Sequence, residues 1–118
     1  MANKIAHAEV VGRDGPMLQK FYGEVFDWKL NTDLPGGYGI ATKTGGDGAD
    51  FGTGPAADGG PGWVTFYVTV ADVDATLAKV EALGGKTVMP KFSPAPETWL
   101  AMFADPEGHI IGLSQGAM

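Results

Sequence analysis

His7 and Glu9 are the residues of this 118-residue chain best suited by type and spacing to move a proton. They stand two apart in the run Lys4-Ile5-Ala6-His7-Ala8-Glu9-Val10-Val11, and on a strand that spacing puts both side chains on one face. An imidazole has its unperturbed pKa near neutrality, and a carboxylate beside it can orient the ring or accept its proton. The same two groups are also nitrogen and oxygen donors for a divalent ion, although such a site needs two or three fixed ligands and an open position. The competing reading of His7 is a neutral imidazole, hydrogen-bonded inside the fold. A second set is aromatic: Tyr38, Trp63, Tyr67 and Trp99, with Trp28 as a further member. Such rings can stack on a flat ligand and orient it through an N–H or O–H, or they can fill an interior or a dimer seam. The other histidine, His109, falls by parity on the strand face opposite Gly112 and reads as a turn or surface residue.

Several chemistries are excluded. The chain has no cysteine, which removes thiol catalysis, disulfides and thiolate ligation. No Gly-x-Gly-x-x-Gly opens a helix, Thr44-Gly45-Gly46-Asp47-Gly48 lacks the Lys-Ser/Thr ending of a phosphate loop, and there is no Gly-x-Ser-x-Gly elbow. Eight Lys/Arg against 14 Asp/Glu give a net charge of −6, which argues against nucleic acid and anionic membranes as partners. With 44% hydrophobic and 19% charged residues, the chain has an ordinary globular composition. Residues 1–10 carry no continuous apolar run, and no stretch approaches the length of a membrane span. A cytoplasmic location is the expectation.

The elements that must position these side chains follow from periodicity. Residues 4–11 alternate as a strand, with Ile5, His7, Glu9 and Val11 on one face and Ala6, Ala8 and Val10 on the other. Pro16 suits a first helical turn, and Leu18, Phe21, Tyr22, Val25 and Phe26 recur at helical spacing as an expected core face. Strands are expected to start at Trp28–Leu30 and to cover 38–43 and 49–53. The order then begins again. Residues 63–70 alternate strictly: Val64, Phe66, Val68 and Val70 should meet a helix, while Trp63, Thr65, Tyr67 and Thr69 face away from it. Asp72 is a suitable N-cap, Val73, Leu77 and Val80 carry a helical stripe, and Gly84-Gly85 stops it. Strands should follow near 86–89, 99–104 and 109–114, with a hairpin turn at Asp105-Pro106-Glu107-Gly108. An offset of about 58 residues lays Asp14 on Asp72, and one of 60 lays Gly52 on Gly112. The pattern is an internal duplication: module one over about 3–54, a linker over about 55–62, module two over about 63–115. The eleven glycines between residues 36 and 62 blur the register there.

Phe21-Tyr22-Gly23-Glu24-Val25-Phe26-Asp27-Trp28 resembles the helix end of the glyoxalase/bleomycin resistance protein/dioxygenase group, the vicinal oxygen chelate superfamily, with Asp27 where glycine is usual. Val70-Ala71-Asp72-Val73-Asp74-Ala75 with Leu83-Gly84-Gly85, and Asp105-Pro106-Glu107-Gly108 with Gly112-Leu113, resemble its second helix and final hairpin. The resemblance spans nearly the whole chain. It implies one α+β domain of two βαβββ modules, a cup-shaped, curved mixed sheet with helices outside. It also implies a homodimer, with the modules pairing either within a chain or across it.

In metal-dependent members the resemblance implies up to four His or Glu ligands, on the first and last strands of each module. Here His7 fits one position, the second falls on Thr65 or Tyr67, and the last-strand positions fall on Gly52 and Gly112. Glycine has nothing to donate. The expected function is therefore metal-free binding of a small flat or apolar organic molecule, without a cofactor, against Trp63, Thr65, Tyr67, Trp99 and Tyr38. The alternative is a lyase, isomerase or dioxygenase using His7 and Glu9 with one divalent metal ion or as acid and base. An interaction module with a filled cup is a third reading. The sequence leaves open whether the chain is an enzyme.

Overall fold

The computed structural model describes residues 2–116 and has seven strands and two helices, an α+β architecture in which a strand–helix–strands order occurs twice. The chain divides into two compact units, His7–Val64 and a second formed by Thr65 onward with the residues before His7.

In the unit His7–Val64, strand β1 (Ile5–Gly12) leads into helix α1 (Gly15–Phe26). The helix begins where the Asp14 carboxylate accepts from the Met17 N–H, with Pro16 in the first turn where its missing donor is harmless. A 3-10 turn at Pro35–Gly37 precedes strand β2 (Gly39–Ala41), and strand β3 (Asp50–Pro55) closes the unit's sheet in the order β2-β3-β1. β1 and β3 are parallel, with His7 opposite Asp50, Ala8 opposite Phe51 and Glu9 opposite Gly52. α1 lies on the face that carries Phe51: Tyr22 and Trp28 meet the Phe51 ring at centroid distances of 5.2 and 4.8 Å, and Phe26 meets Trp28 at 4.9 Å.

Two expectations fail in this unit. Trp28–Leu30 is not a strand; only Asn31 makes an isolated bridge, to Ile40. The Trp28 ring is drawn back onto Phe26 and Phe51, so the chain follows the helix end instead of the sheet edge. Nor is the whole apolar stripe of α1 core, since Phe21 and Val25 are each 55% exposed and Phe26 is 53% exposed. Residues 15, 18, 19 and 22 take the sheet-facing arc at 100° per residue, and Phe21 and Val25 fall on its flank.

The second unit has β4 (Trp63–Thr69, from Thr65), α2 (Val73–Ala82), β5 (Lys86–Ala95), β6 (Thr98–Ala104) and β7 (Ile110–Gly116), with its sheet ordered β4-β7-β6-β5. Asp72 caps α2 as expected, accepting from the Ala75 N–H, and the Gln115 side chain accepts from the Val73 N–H. Val70, Val73, Leu77, Ala101 and Leu113 form the buried core, with Val68 packed against them. The turn at Asp105–Gly108 forms as expected, with Gly108 at φ 93° and its N–H on the Asp105 carbonyl. β5 runs on past Pro90 and Pro94, through register shifts, because as the last strand in the order it can spare the missing donors. In the first unit, Val64 departs from the expectation that it meets a helix, and is 78% exposed.

At the end of α1, Asp27 adopts the left-handed conformation (φ 57°, ψ 41°), and its N–H bonds to the Gly23 carbonyl. That conformation costs an L-residue about 1 kcal/mol more than glycine, even with aspartate's tolerance of it. Asp27→Gly is therefore expected to raise stability by up to about 1 kcal/mol, read as a higher urea midpoint at unchanged slope; a lower midpoint would show that the aspartate makes a compensating contact.

Candidate functional site

β1 delivers His7 and Glu9 to the sheet face opposite α1, as their spacing requires, and both are buried, His7 to 1% exposure. Tyr38 joins them from the glycine-rich turn before β2. Its hydroxyl donates to Glu9 Oε1 at 2.8 Å and lies 2.8 Å from His7 Nε2. Trp63, at the start of β4, donates its indole N–H to the other carboxylate oxygen, Glu9 Oε2, at 2.7 Å. The result is a chain of four side chains, His7–Tyr38–Glu9–Trp63, drawn from three separate segments. Tyr38 and Trp63 are half-buried.

With Glu9 as a carboxylate, its bond from Tyr38 orders the protons along this chain. A carboxylate can only accept, so the single Tyr38 hydroxyl hydrogen goes to Glu9. The tyrosine oxygen must then accept from His7, which places a hydrogen on Nε2. Burial pushes the His7 pKa below its ordinary value of 6.5, while the negative charges of Glu9 and then Asp50 work in the opposite direction. Desolvation is the larger effect, so His7 is held neutral at neutral pH, and its bond to the Tyr38 hydroxyl favours the hydrogen on Nε2.

The backbone explains how Tyr38 gets there. Gly36 and Gly37 have φ of 75° and 76°, a conformation that glycine adopts without strain. The Gln19 side chain of α1 donates to the Gly37 carbonyl at 2.7 Å and the Thr53 carbonyl at 3.1 Å, fixing the turn against β3. Tyr38 then lies along a trough in β3 lined by Gly52 and Gly54. A β-carbon at Gly52 would run into the Tyr38 hydroxyl and His7 Nε2, and one at Gly54 would stand 3.1 Å from the Gly37 carbonyl oxygen and Tyr38 Cα. The tyrosine thus occupies the volume a last-strand side chain would take. Sequence reasoning marked Gly52 only as a missing ligand; the alternation Gly52-Thr53-Gly54 was the available signal that this face leaves room for something large.

The second unit is built similarly at Gly112. A β-carbon there would collide with the Tyr67 ring, and Tyr67 pairs with Gly112 across β4 and β7. Thr65 shares this face, buried, with its hydroxyl donating to the Ile110 carbonyl at 2.7 Å. Trp99 departs from expectation. It pairs with Gln115, one step out of phase with Gly112 and Ser114, and so lies on the α2 side. There it packs against the core, with the Lys91 ammonium 4.9 Å from its ring centre. His109 is an exposed turn residue, as expected; its backbone N–H is the main reason the Asp105 carboxyl titrates below its usual range.

The residues present do not fit the metal centre that the resemblance implies. Of the four ligand positions, His7 alone supplies a typical donor, with Glu9 beside it; Thr65 or Tyr67, Gly52 and Gly112 do not. Among the described residues no group of three or more His, Cys, Asp or Glu could hold an ion. At both glycines the space for a carboxylate is filled by a tyrosine.

Since the folded protein holds His7 below pH 6.5, the unfolded chain binds that proton more readily. The His7 contribution to stability is full above the ordinary pKa and is lost as pH falls through the lowered one. Acid titration by urea unfolding should show a drop below about pH 6.5 that His7→Gln shrinks. Nitrogen NMR of His7 should show Nε2–H at pH 7, and an imidazolium or an Nδ1–H signal would contradict the proton assignment.

Residues 4–113 match the model of the Glyoxalase/Bleomycin resistance protein/Dioxygenase superfamily. CFP32 of Mycobacterium bovis and Mycobacterium tuberculosis, provisionally named a glyoxylase, is 34% identical over 108 residues, covering 86% of this chain. The match takes in 41% of CFP32, so the chain spans about two-fifths of that relative's length. A superfamily member from Vibrio splendidus has a similar structure (TM-score 0.65, 18% identity, 98% of this chain and 100% of that one). So does methylmalonyl-CoA epimerase from Streptomyces coelicolor (TM-score 0.69, 17% identity, 100% of both chains). At these identities the two structures speak for the fold alone. The family match over residues 4–113 makes this chain a member of the glyoxalase/bleomycin resistance protein/dioxygenase superfamily.

Proposed function

We propose that this chain is a small-molecule-binding protein of the glyoxalase/bleomycin resistance type that holds a flat or apolar organic ligand without a divalent metal ion. The observation that carries this reading is the Tyr38 hydroxyl set between His7 Nε2 and Glu9 Oε1, 2.8 Å from each, in the volume a ligating side chain at position 52 would need. Half-buried Tyr38 and Trp63 supply ring surface, while their polar ends are fixed on Glu9. Such a surface grips by apolar contact and orients by hydrogen bonds. The net charge of −6 favours neutral or cationic ligands over anionic ones.

The hydrogen-bonded chain favours a second reading, an acid–base enzyme in which Tyr38 relays a proton between His7 and Glu9. The curated relative's provisional name and the epimerase among similar folds are compatible with such chemistry but belong to those proteins. His7→Ala separates the two readings: turnover lost with ligand binding retained would favour the enzyme.

Titration with a library of neutral and cationic aromatic compounds should quench tryptophan emission, and Trp63→Phe should abolish the part of the signal that Trp63 reports. Glu9→Gln removes the charge from the two bonds that fix the polar ends of Tyr38 and Trp63, and should weaken ligand binding measurably. Silence across the library would remove the basis of the binding reading.

A further inference from the structure

The two groups that could donate to a cation, His7 Nε2 and Glu9 Oε1, are both bonded to one atom, the Tyr38 hydroxyl oxygen. Any ion shared by that imidazole and carboxylate would have to stand near where this oxygen stands. Gly52, opposite Glu9 on β3, provides no ligand, and its bare backbone is what admits the tyrosine. We infer that Tyr38 is a built-in plug, the residue that determines whether His7 and Glu9 serve a hydrogen-bond network or a divalent cation. Its oxygen takes the ion's place as the common partner of the two donors. Unlike the ion it carries no charge and leaves Glu9 an acceptor.

Three features suit Tyr38 to this role. It stands on a turn, not inside a long strand, next to Gly37 and Gly39. It crosses the trough of Gly52 and Gly54, so its ring and hydroxyl together fill the space. Its ring plane lies within 20° of parallel to that of His7 at a centroid distance of 6.1 Å, and the hydroxyl meets Nε2 at 2.8 Å. The inference rests on the metal-free part of the proposed reading, whose central observation it shares, but not on the binding of an organic ligand. Failure to find an organic ligand would leave the plug intact, and failure of the test below would leave organic binding open.

The test is calorimetric titration with Ni²⁺, Zn²⁺ and Mn²⁺ of the wild-type protein, Tyr38→Ala, Tyr38→Phe and Tyr38→Ala/His7→Ala, with circular dichroism and thermal unfolding to confirm the fold. Tyr38→Ala should bind Ni²⁺ or Zn²⁺ about tenfold or more tightly than wild type, because the ion no longer competes with the hydroxyl's bonds to Glu9 and His7. The gain should vanish in the double variant. Tyr38→Phe, which keeps the ring and loses only the hydroxyl, should show a smaller gain, and it decides the matter if Tyr38→Ala does not fold. No gain in any folded variant, or His7-dependent stoichiometric metal on the wild-type protein at the same affinity as Tyr38→Ala, would overturn the inference.

Discussion

The candidate site depends on a missing side chain. Gly52 pairs with Glu9 on the face of β3 where Tyr38 crosses, and only a residue without a β-carbon lets the tyrosine hydroxyl come down between His7 and Glu9. On that close approach depend the Tyr38 bonds to His7 and to one Glu9 oxygen, while Trp63 holds the other oxygen. A buried carboxylate is costly unless hydrogen-bonded, and here two neutral donors aim at it from elements far apart in sequence. The site is therefore a long-range construction, which helps to tie the turn before β2 and the start of β4 to β1.

Much of the scaffold was legible because periodicity is a local signal. The β1 alternation placed His7 and Glu9 on one face, Asp72 and Gly84 bounded α2, and the Asp105–Gly108 turn fell where its residue types indicate. The errors have local causes. Trp28–Leu30 was expected to start a strand, but tertiary stacking of the Trp28 ring on Phe26 and Phe51 took precedence over strand preference. Phe21 and Val25 have helical spacing yet lie on the flank of a helix that covers a narrow sheet, so apolar spacing overstated burial.

The site was legible only in part. His7, Glu9, Tyr38 and Trp63 were each identifiable by type, but their convergence was not, because it depends on the path of residues 36–54, where glycines remove the side-chain alternation that sets register. The parity of Trp99 shows the converse. Aromatic type suggested a ligand face, and a single-residue phase difference from Gly112 and Ser114 puts it on the helix side instead. In both units a glycine at the last-strand position is matched by a tyrosine, Tyr38 at Gly52 and Tyr67 at Gly112, a relation that no residue-by-residue reading reveals.

The most direct measurement of this account is a double-mutant cycle at positions 52 and 38, with stability read by urea unfolding. If the Gly52 void exists to admit Tyr38, Gly52→Ala should be strongly destabilising in the wild-type background and much less so in Tyr38→Ala, a large coupling between two residues remote in sequence. If Gly52→Ala is tolerated, or if its cost is the same in both backgrounds, the void and the tyrosine are unrelated, and the network built on them must be rejected.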